Sequence, residues 1–156
     1  MELRRRFRGA WLAALAAALD RVTKRWALRA GEGALVPGVL NLRPAVNRGM
    51  AFSMLSGQGA LLAAVTLLLV AALTAWLAAK PDRPGLFRAG LWLIVGGGLG
   101  NLYDRLTTGA VIDFIEPAFV RFAVFNVADA CICAGAALAL LAAIREEAGA
   151  KHGAGT

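Results

Sequence analysis

From Leu61 to Ala79 the chain carries no charged residue. Coiled as an α-helix at about 1.5 Å per residue, such a stretch reaches across the roughly 30 Å hydrocarbon core of a bilayer. At least one segment is therefore built for lipid rather than water. The rest of the chain suits the same solvent, since 59% of its 156 residues are hydrophobic, against about 45–50% in soluble domains. Its 17 Lys and Arg outweigh 10 Asp and Glu, a net charge of +7. That excess would serve nucleic acid or anionic headgroups. In so apolar a chain it points to membrane lipids, and no nucleic-acid partner is expected.

Candidate spans are Phe7–Leu28, Gly57–Ala79, Leu86–Tyr103 and Phe122–Ile144, separated by segments rich in Pro, Gly and charge. Within Leu35–Met54, Pro37, Gly38, Pro44 and Gly49 punctuate Val36, Val39, Leu40, Leu42 and Val46, a pattern of short strands. The expected fold is all-α and integral to the membrane: one domain over residues 1–156, four transmembrane helices, and a small extracytoplasmic β element between the first and second. Arg4, Arg5, Arg6 and Arg8 before an apolar run imitate a secretory signal. The segment nevertheless continues through Asp20 and Lys24 to Leu28 without a turn residue, as a retained helix does. Trp11, Trp26, Trp76 and Trp92 are expected at the interface or facing lipid.

Only the second span lacks ionisable groups. Asp20, Arg21, Lys24 and Arg25 sit late in the first, Asp104 and Arg105 end the third, and Asp129 lies near the start of the fourth. Alternating span direction brings all of these to one membrane face. Each ionisable group in a span costs a few kcal/mol on insertion scales, so four helices placing theirs at one end mark a site rather than scatter. Cation counts barely separate the faces, with nine Lys and Arg on the N-terminal side and eight on the other. The Arg4–Arg8 cluster, Lys80, Arg83 and Arg88 sit in short free loops, which favours cytoplasmic N- and C-termini and an outward-facing polar end.

Asp113, in Val111-Ile112-Asp113-Phe114, follows the third span, and Asp129 opens the fourth in Phe125-Asn126-Val127-Ala128-Asp129. Two carboxyls meeting at one face could hydrolyse a peptide, because close like charges cannot both ionise: one keeps a proton while the other activates water. Equally, Asp113 could be an ordinary loop residue and Asp129 an anion satisfying a helix N-terminus. Spacing alone leaves both readings open. The pattern N-x-x-D at Asn101–Asp104 and Asn126–Asp129 puts each Asn on the face of its Asp, where it can orient it.

Asp20 and Lys24 stand i, i+4 and form a structural ion pair. A rival Ser/Lys dyad would pair Lys24 with Ser53 or Ser56, but a neighbouring carboxylate raises a lysine's pKa, the wrong direction for a base. Gly96-Gly97-Gly98-Leu99-Gly100 lacks the following Lys-Ser/Thr of a phosphate loop and lies in an apolar helix. Close helix packing is its role. Cys131 and Cys133 point to nearly opposite sides of a helix, and the single histidine, His152, lies in a polar tail. No metal site and no disulfide framework follow.

Asp20-Arg21-Val22-Thr23-Lys24, Asn47-Arg48-Gly49-Met50-Ala51-Phe52-Ser53, Gly97-Gly98-Leu99-Gly100-Asn101-Leu102-Tyr103-Asp104-Arg105, Val111-Ile112-Asp113-Phe114 and Phe125-Asn126-Val127-Ala128-Asp129 resemble, in order, the motif set of the lipoprotein signal peptidase family, or signal peptidase II. The resemblance implies a membrane aspartic endopeptidase of the bacterial inner membrane, with Asp113 and Asp129 as catalytic dyad. Asp20, Lys24, Asn47, Gly49, Asn101, Asp104, Arg105 and Asn126 would shape the site. It further implies a prolipoprotein substrate whose cysteine carries a diacylglyceryl group, cut on the amino side of that cysteine. No metal or cofactor is called for. A bilayer-level site suits such a substrate, since two acyl chains hold the scissile bond at the interface. The segment Thr107–Val124, with Pro117, Phe114, Phe119 and Phe122, could cover the site as a partial lid, and a site complete within one chain suggests a monomer.

Two other classes compete. A transporter or channel subunit also places Asp and Lys in the membrane, yet Leu61–Ala79 offers only Thr66 and Thr74 along a conduction path. A non-enzymatic assembly factor could use the Gly-rich helix for docking and would tolerate loss of Asp113 or Asp129.

Overall fold

The computed structural model describes residues 2–49 and 58–153. A short helix α1 (Glu2–Arg6) leads into α2 (Ala10–Ala30), then strands β1 (Gly33–Val36) and β2 (Leu40–Asn47), helices α3 (Gly59–Ala79) and α4 (Gly85–Thr108), strand β3 (Val111–Pro117) and a final helix α5 (Val127–Gly153). Ser53 and Ser56, the nucleophiles of the Ser/Lys alternative, lie outside the described residues.

α4 is the central helix and packs against α2, α3 and α5. Its glycine run makes this possible, and each glycine serves a different neighbour. A Cβ on Gly96 would lie 2.6 Å from the Ala13 carbonyl oxygen of α2, and one on Gly98 would lie 2.7 Å from Val70 Cγ2 of α3. A Cβ on Gly97 would run into the Ala128 carbonyl of α5. Small residues let helix backbones approach where lipid offers no hydrophobic drive.

α3 (Gly59–Ala79) and the Val127–Gly149 part of α5 are each long and apolar enough to cross a membrane. Leu67, Leu68 and Leu69 point outward at 52–69% exposure, a band that water would penalise and lipid would not. Thr66 and Thr74 donate back to the Leu62 and Val70 carbonyls at 2.7 Å, so neither leaves a hydroxyl unsatisfied in an apolar setting.

The β element after the first long helix forms as expected, but it has a third strand from elsewhere. β2 lies between β1 and β3, antiparallel to both, with Ala45 opposite Asp113 and Asn41 opposite Glu116. Val111, Ile112 and Ile115 are β-branched and suit a strand. α5 accordingly starts at Val127 rather than Phe122, because Phe125 exchanges backbone hydrogen bonds with Ile115 at 2.8 and 3.0 Å. α4 ends past Tyr103, at Thr108, where Gly109 adopts φ 74° and its N–H closes on the Arg105 carbonyl, a left-handed stop that favours glycine. Phe114, placed among possible lid residues by the sequence, is instead buried with Ala27 and Leu42 in the core joining sheet to helices.

Two further expectations change at the opposite end of the bundle. Trp92 does not face lipid: it is 3% exposed, packs with Ala13, Leu77 and Val95, and donates from Nε1 to the Arg8 carbonyl at 3.0 Å. Arg88 is not a free loop cation. Its guanidinium is buried and donates to the carbonyls of Leu77 and Lys80 at 2.8 Å, and to that of Arg6. The end of α3 thereby receives the donors its last carbonyls lack.

Candidate active site

The polar end of the bundle is built on Lys24. Its ammonium, 1% exposed, lies 2.7 Å from Asp20 Oδ2 one turn earlier on α2 and 2.8 Å from Asp104 Oδ2 on α4. It also donates to Asn101 Oδ1 at 3.2 Å. The i, i+4 pair seen in the sequence is thus part of a cluster that joins two helices. Asp20 Oδ1 accepts the Ala128 N–H at 2.9 Å and so holds the start of α5. Asp104 accepts from Arg21 at 2.5 Å and from the Ile112 N–H at 3.3 Å, which ties β3 to α4. Arg21 also lies over the Tyr103 ring, 4.3 Å from its centroid. Buried charges persist when each has partners of this kind.

Asn101 and Asn126 carry the network onward to Asp113 and Asp129. Asn126 caps α5: its backbone N–H donates to Asp129 Oδ2 at 3.2 Å, and Asp129 N–H donates to Asn126 Oδ1 at 2.9 Å. This is a reciprocal capping box. The Asn126 amide donates to Asp113 Oδ1 at 2.7 Å and to Asn101 Oδ1 at 3.1 Å. The first Asn of the N-x-x-D repeat behaves differently from expectation, since Asn101 donates to Asp129 Oδ1 at 2.8 Å rather than orienting Asp104. Lys24 already occupies the Asp104 side of Asn101, which turns the amide toward α5.

From the sheet, Asn47 at the end of β2 donates to Asp113 Oδ2 at 2.9 Å, and its own oxygen accepts the Gly49 N–H at 2.9 Å. Arg105 donates to the Gly49 carbonyl at 3.3 Å. The structure therefore brings Asp20, Lys24, Asn47, Gly49, Asn101, Asp104, Arg105, Asp113, Asn126 and Asp129 to one end of the bundle, in one connected set.

Asp113 and Asp129 both line a cavity of about 460 Å³ whose other walls include Asn101, Arg105, Val111, Phe122, Val124, Phe125, Ile132 and Cys133. Burial pushes the Asp113 carboxyl from its ordinary value near 3.8 up to about 6. The Asn47 hydrogen bond opposes this rise, and the nearby Asp129 charge adds to it. A carboxyl that keeps its proton beside one that gives it up is the chemical requirement for activating water between them. The walls contributed by Phe122 and Val124 come from the Thr107–Val124 segment that the sequence marks as a cover, Phe125 opens the last motif, and Ile132 and Cys133 carry no signal beyond a position one turn after Asp129.

Residues 12–145 match the family model of signal peptidase (SPase) II. A lipoprotein signal peptidase of Gloeobacter violaceus is 40% identical over 142 residues, 88% of this chain and 82% of that one. Another, from Streptococcus pyogenes serotype M6, is 36% identical over 85% of this chain and 90% of its own. Among solved structures, a bacterial membrane enzyme determined by the in meso method at 2.3 Å resolution superposes with a TM-score of 0.81 at 26% identity, covering 88% of this chain and 87% of that one. With five motifs in order, a polar network assembled from them and a family model matched over most of its length, the chain belongs to the signal peptidase II family.

Proposed function

We propose that this protein is an aspartic endopeptidase that removes the signal peptide from diacylglyceryl-modified prolipoproteins, cutting on the amino side of the lipidated cysteine. The observation that carries the reading is the Asn126 bridge: one residue donates to Asp113 through its side chain and to Asp129 through its backbone, and the two carboxyls it joins line a largely apolar cavity. Asp113 is the carboxyl favoured to hold the proton. It donates to the scissile carbonyl oxygen while Asp129 accepts a proton from water, whose oxygen bonds to the carbonyl carbon. The tetrahedral intermediate collapses as the C–N bond breaks: the departing amine takes the proton held by Asp129, and Asp113 recovers its own from the intermediate's hydroxyl, with no covalent enzyme adduct.

α2, α3, α4 and α5 are the four spans of a single membrane-embedded domain, active as a monomer. The site lies near the outer face of the inner membrane, with both termini cytoplasmic. The apolar cavity beside the carboxyls suits a substrate whose acyl chains stay in the bilayer.

Cleavage of a diacylglyceryl-modified prolipoprotein by wild type, Asp113→Asn and Asp129→Asn, each first shown to fold in detergent, tests the mechanism. Both folded variants should lose cleavage by roughly a thousandfold or more. Near-wild-type turnover by either one would rule out the dyad.

A further inference from the structure

A second cavity, of about 630 Å³, opens from the same carboxyl. It shares Asn47, Asp113, Phe122, Ala123 and Val124 with the first, but its remaining walls include Asn41, Arg43, Glu116 and Arg121. A peptide bond held at Asp113 therefore has two ways out, one apolar and one polar. The lipidated cysteine and the signal helix are apolar, whereas the polypeptide after the cut belongs in water. The second route is the more polar of the two: beyond the shared Asn47 and Asp113 it adds Asn41, Arg43, Glu116 and Arg121, whereas the first sets Val111, Phe125, Ile132 and Cys133 beside its Asn101, Arg105 and Asp129.

The charges along that route do not balance. Glu116 is bound within the sheet, accepting from Arg43 at 2.6 Å and from Asn41 at 3.4 Å. The pair holds the Glu116 carboxyl below its ordinary value and the Arg43 guanidinium above its own, each mainly through their shared hydrogen bond. Arg43 and Glu116 thus neutralise each other over a wide pH range. Arg121 is exposed and has no ion-pair partner among the described residues. Apart from the reacting carboxyl of Asp113, it is the one charged group on the wall of the polar route without an ion-pair partner among the described residues.

We propose that this polar groove receives the first residues of the mature polypeptide downstream of the cut, and that Arg121 makes it discriminate by charge, favouring acidic over basic residues there. The proposal rests on the peptidase reading above and adds a specificity determinant to it. Because the groove is open to water, the effect has the size of an exposed charge pair, about two- to fivefold in kcat/KM per substrate charge, and salt screens it.

The test uses full-length protein in lipid nanodiscs and three diacylglyceryl-modified prolipoprotein peptides that differ only at the second and third residues after the lipidated cysteine, carrying Asp-Asp, Ser-Ser or Lys-Lys. At low ionic strength, kcat/KM should fall in that order, and Arg121→Glu should invert the Asp-Asp to Lys-Lys ratio. Taking the ratio within one enzyme preparation cancels any loss of folded protein. Half-molar salt should flatten the wild-type ratio. Equal cleavage of all three peptides by wild type, or an order that survives Arg121→Glu, overturns the inference while leaving the peptidase reading in place. Failure of wild type to cleave any of them overturns both.

Discussion

Lys24 Nζ lies 2.8 Å from Asp104 Oδ2 across the seam between α2 and α4, while holding Asp20 on its own helix at 2.7 Å. One cation therefore serves two buried carboxylates. Replacing it by Met keeps much of the volume but leaves both anions without their counterion, which costs about 3–5 kcal/mol when one member of a buried set is removed. Lys24→Met should unfold far below wild type in a thermal scan in detergent. If Lys24 were instead a catalytic base, the variant would keep its melting point and lose only turnover.

Asn126 is fully buried and touches Asp113, Asp129 and Asn101. Truncation to Ala removes the amide that donates to Asp113 and Asn101 together with the side-chain cap of α5, worth about 1 kcal/mol, and keeps only the backbone N–H donated to Asp129. We expect Asn126→Ala to fold with stability lowered by about 1–3 kcal/mol and to lose kcat by about a hundredfold with a small change in KM, as for a group that positions reacting carboxyls. Steady-state kinetics on a lipidated peptide separate the two. A rise in KM at constant kcat would assign Asn126 to substrate binding instead.

Much of this arrangement is legible in the sequence, because insertion into lipid penalises stray charge. Once Asp20, Lys24, Asp104 and Asp129 are placed on helices that alternate in direction, they can only meet at one end. The glycine run is equally plain, since nothing but packing explains so many small residues in an apolar helix. Partner choice is not legible. That Asn101 turns to Asp129 rather than to Asp104 depends on Lys24 arriving from another helix, and i, i+3 spacing carries no such information. β3 escapes for a related reason: a strand completed by a hairpin far away in the chain shows only a short apolar run. Arg88 and Trp92 mislead because a cation and a Trp near a helix end ordinarily sit at the interface, whereas here open carbonyls of Leu77, Lys80 and Arg8 draw both inward.

The glycines of α4 should differ sharply in tolerance. Gly97→Ala drives a methyl into the Ala128 backbone carbonyl, next to the Asp20 contact that seats α5. Backbone cannot step aside as a side chain can, so α5 must shift, moving Asp129 with it. Gly98→Ala meets only the end of Val70, and Gly85→Ala meets nothing within 4 Å. Overpacking of this kind costs about 1–3 kcal/mol, while an open helical Gly→Ala is neutral or stabilising. The expected order of melting temperatures is Gly85→Ala, then Gly98→Ala, then Gly97→Ala, with cleavage activity lost first in the last. A Gly97→Ala protein as stable and active as wild type would show that α4 and α5 do not pack this closely.

Asp113 supplies a pH signature. Its carboxyl sits near 6 rather than 3.8, raised first by burial and further by Asp129, and restrained by the Asn47 hydrogen bond. Each partner then has a defined sign: Asn47→Ala removes a donor to the ionised form and should raise the value, whereas Asp129→Asn removes a like charge and should lower it. Infrared detection of the protonated carboxyl stretch across pH 4–8, with Asp113→Asn as the reference, reads both shifts. The same group couples to folding. A pKa higher in the folded than in the unfolded chain means that the folded state binds this proton more tightly, so the contribution is complete below about pH 4 and is lost as pH rises through about 6. The stability difference between wild type and Asp113→Asn should therefore drift against wild type across that window and level off above it. A carboxyl titrating near 4 in wild type, or a difference independent of pH, would remove Asp113 as the resting proton holder and pass that role to Asp129.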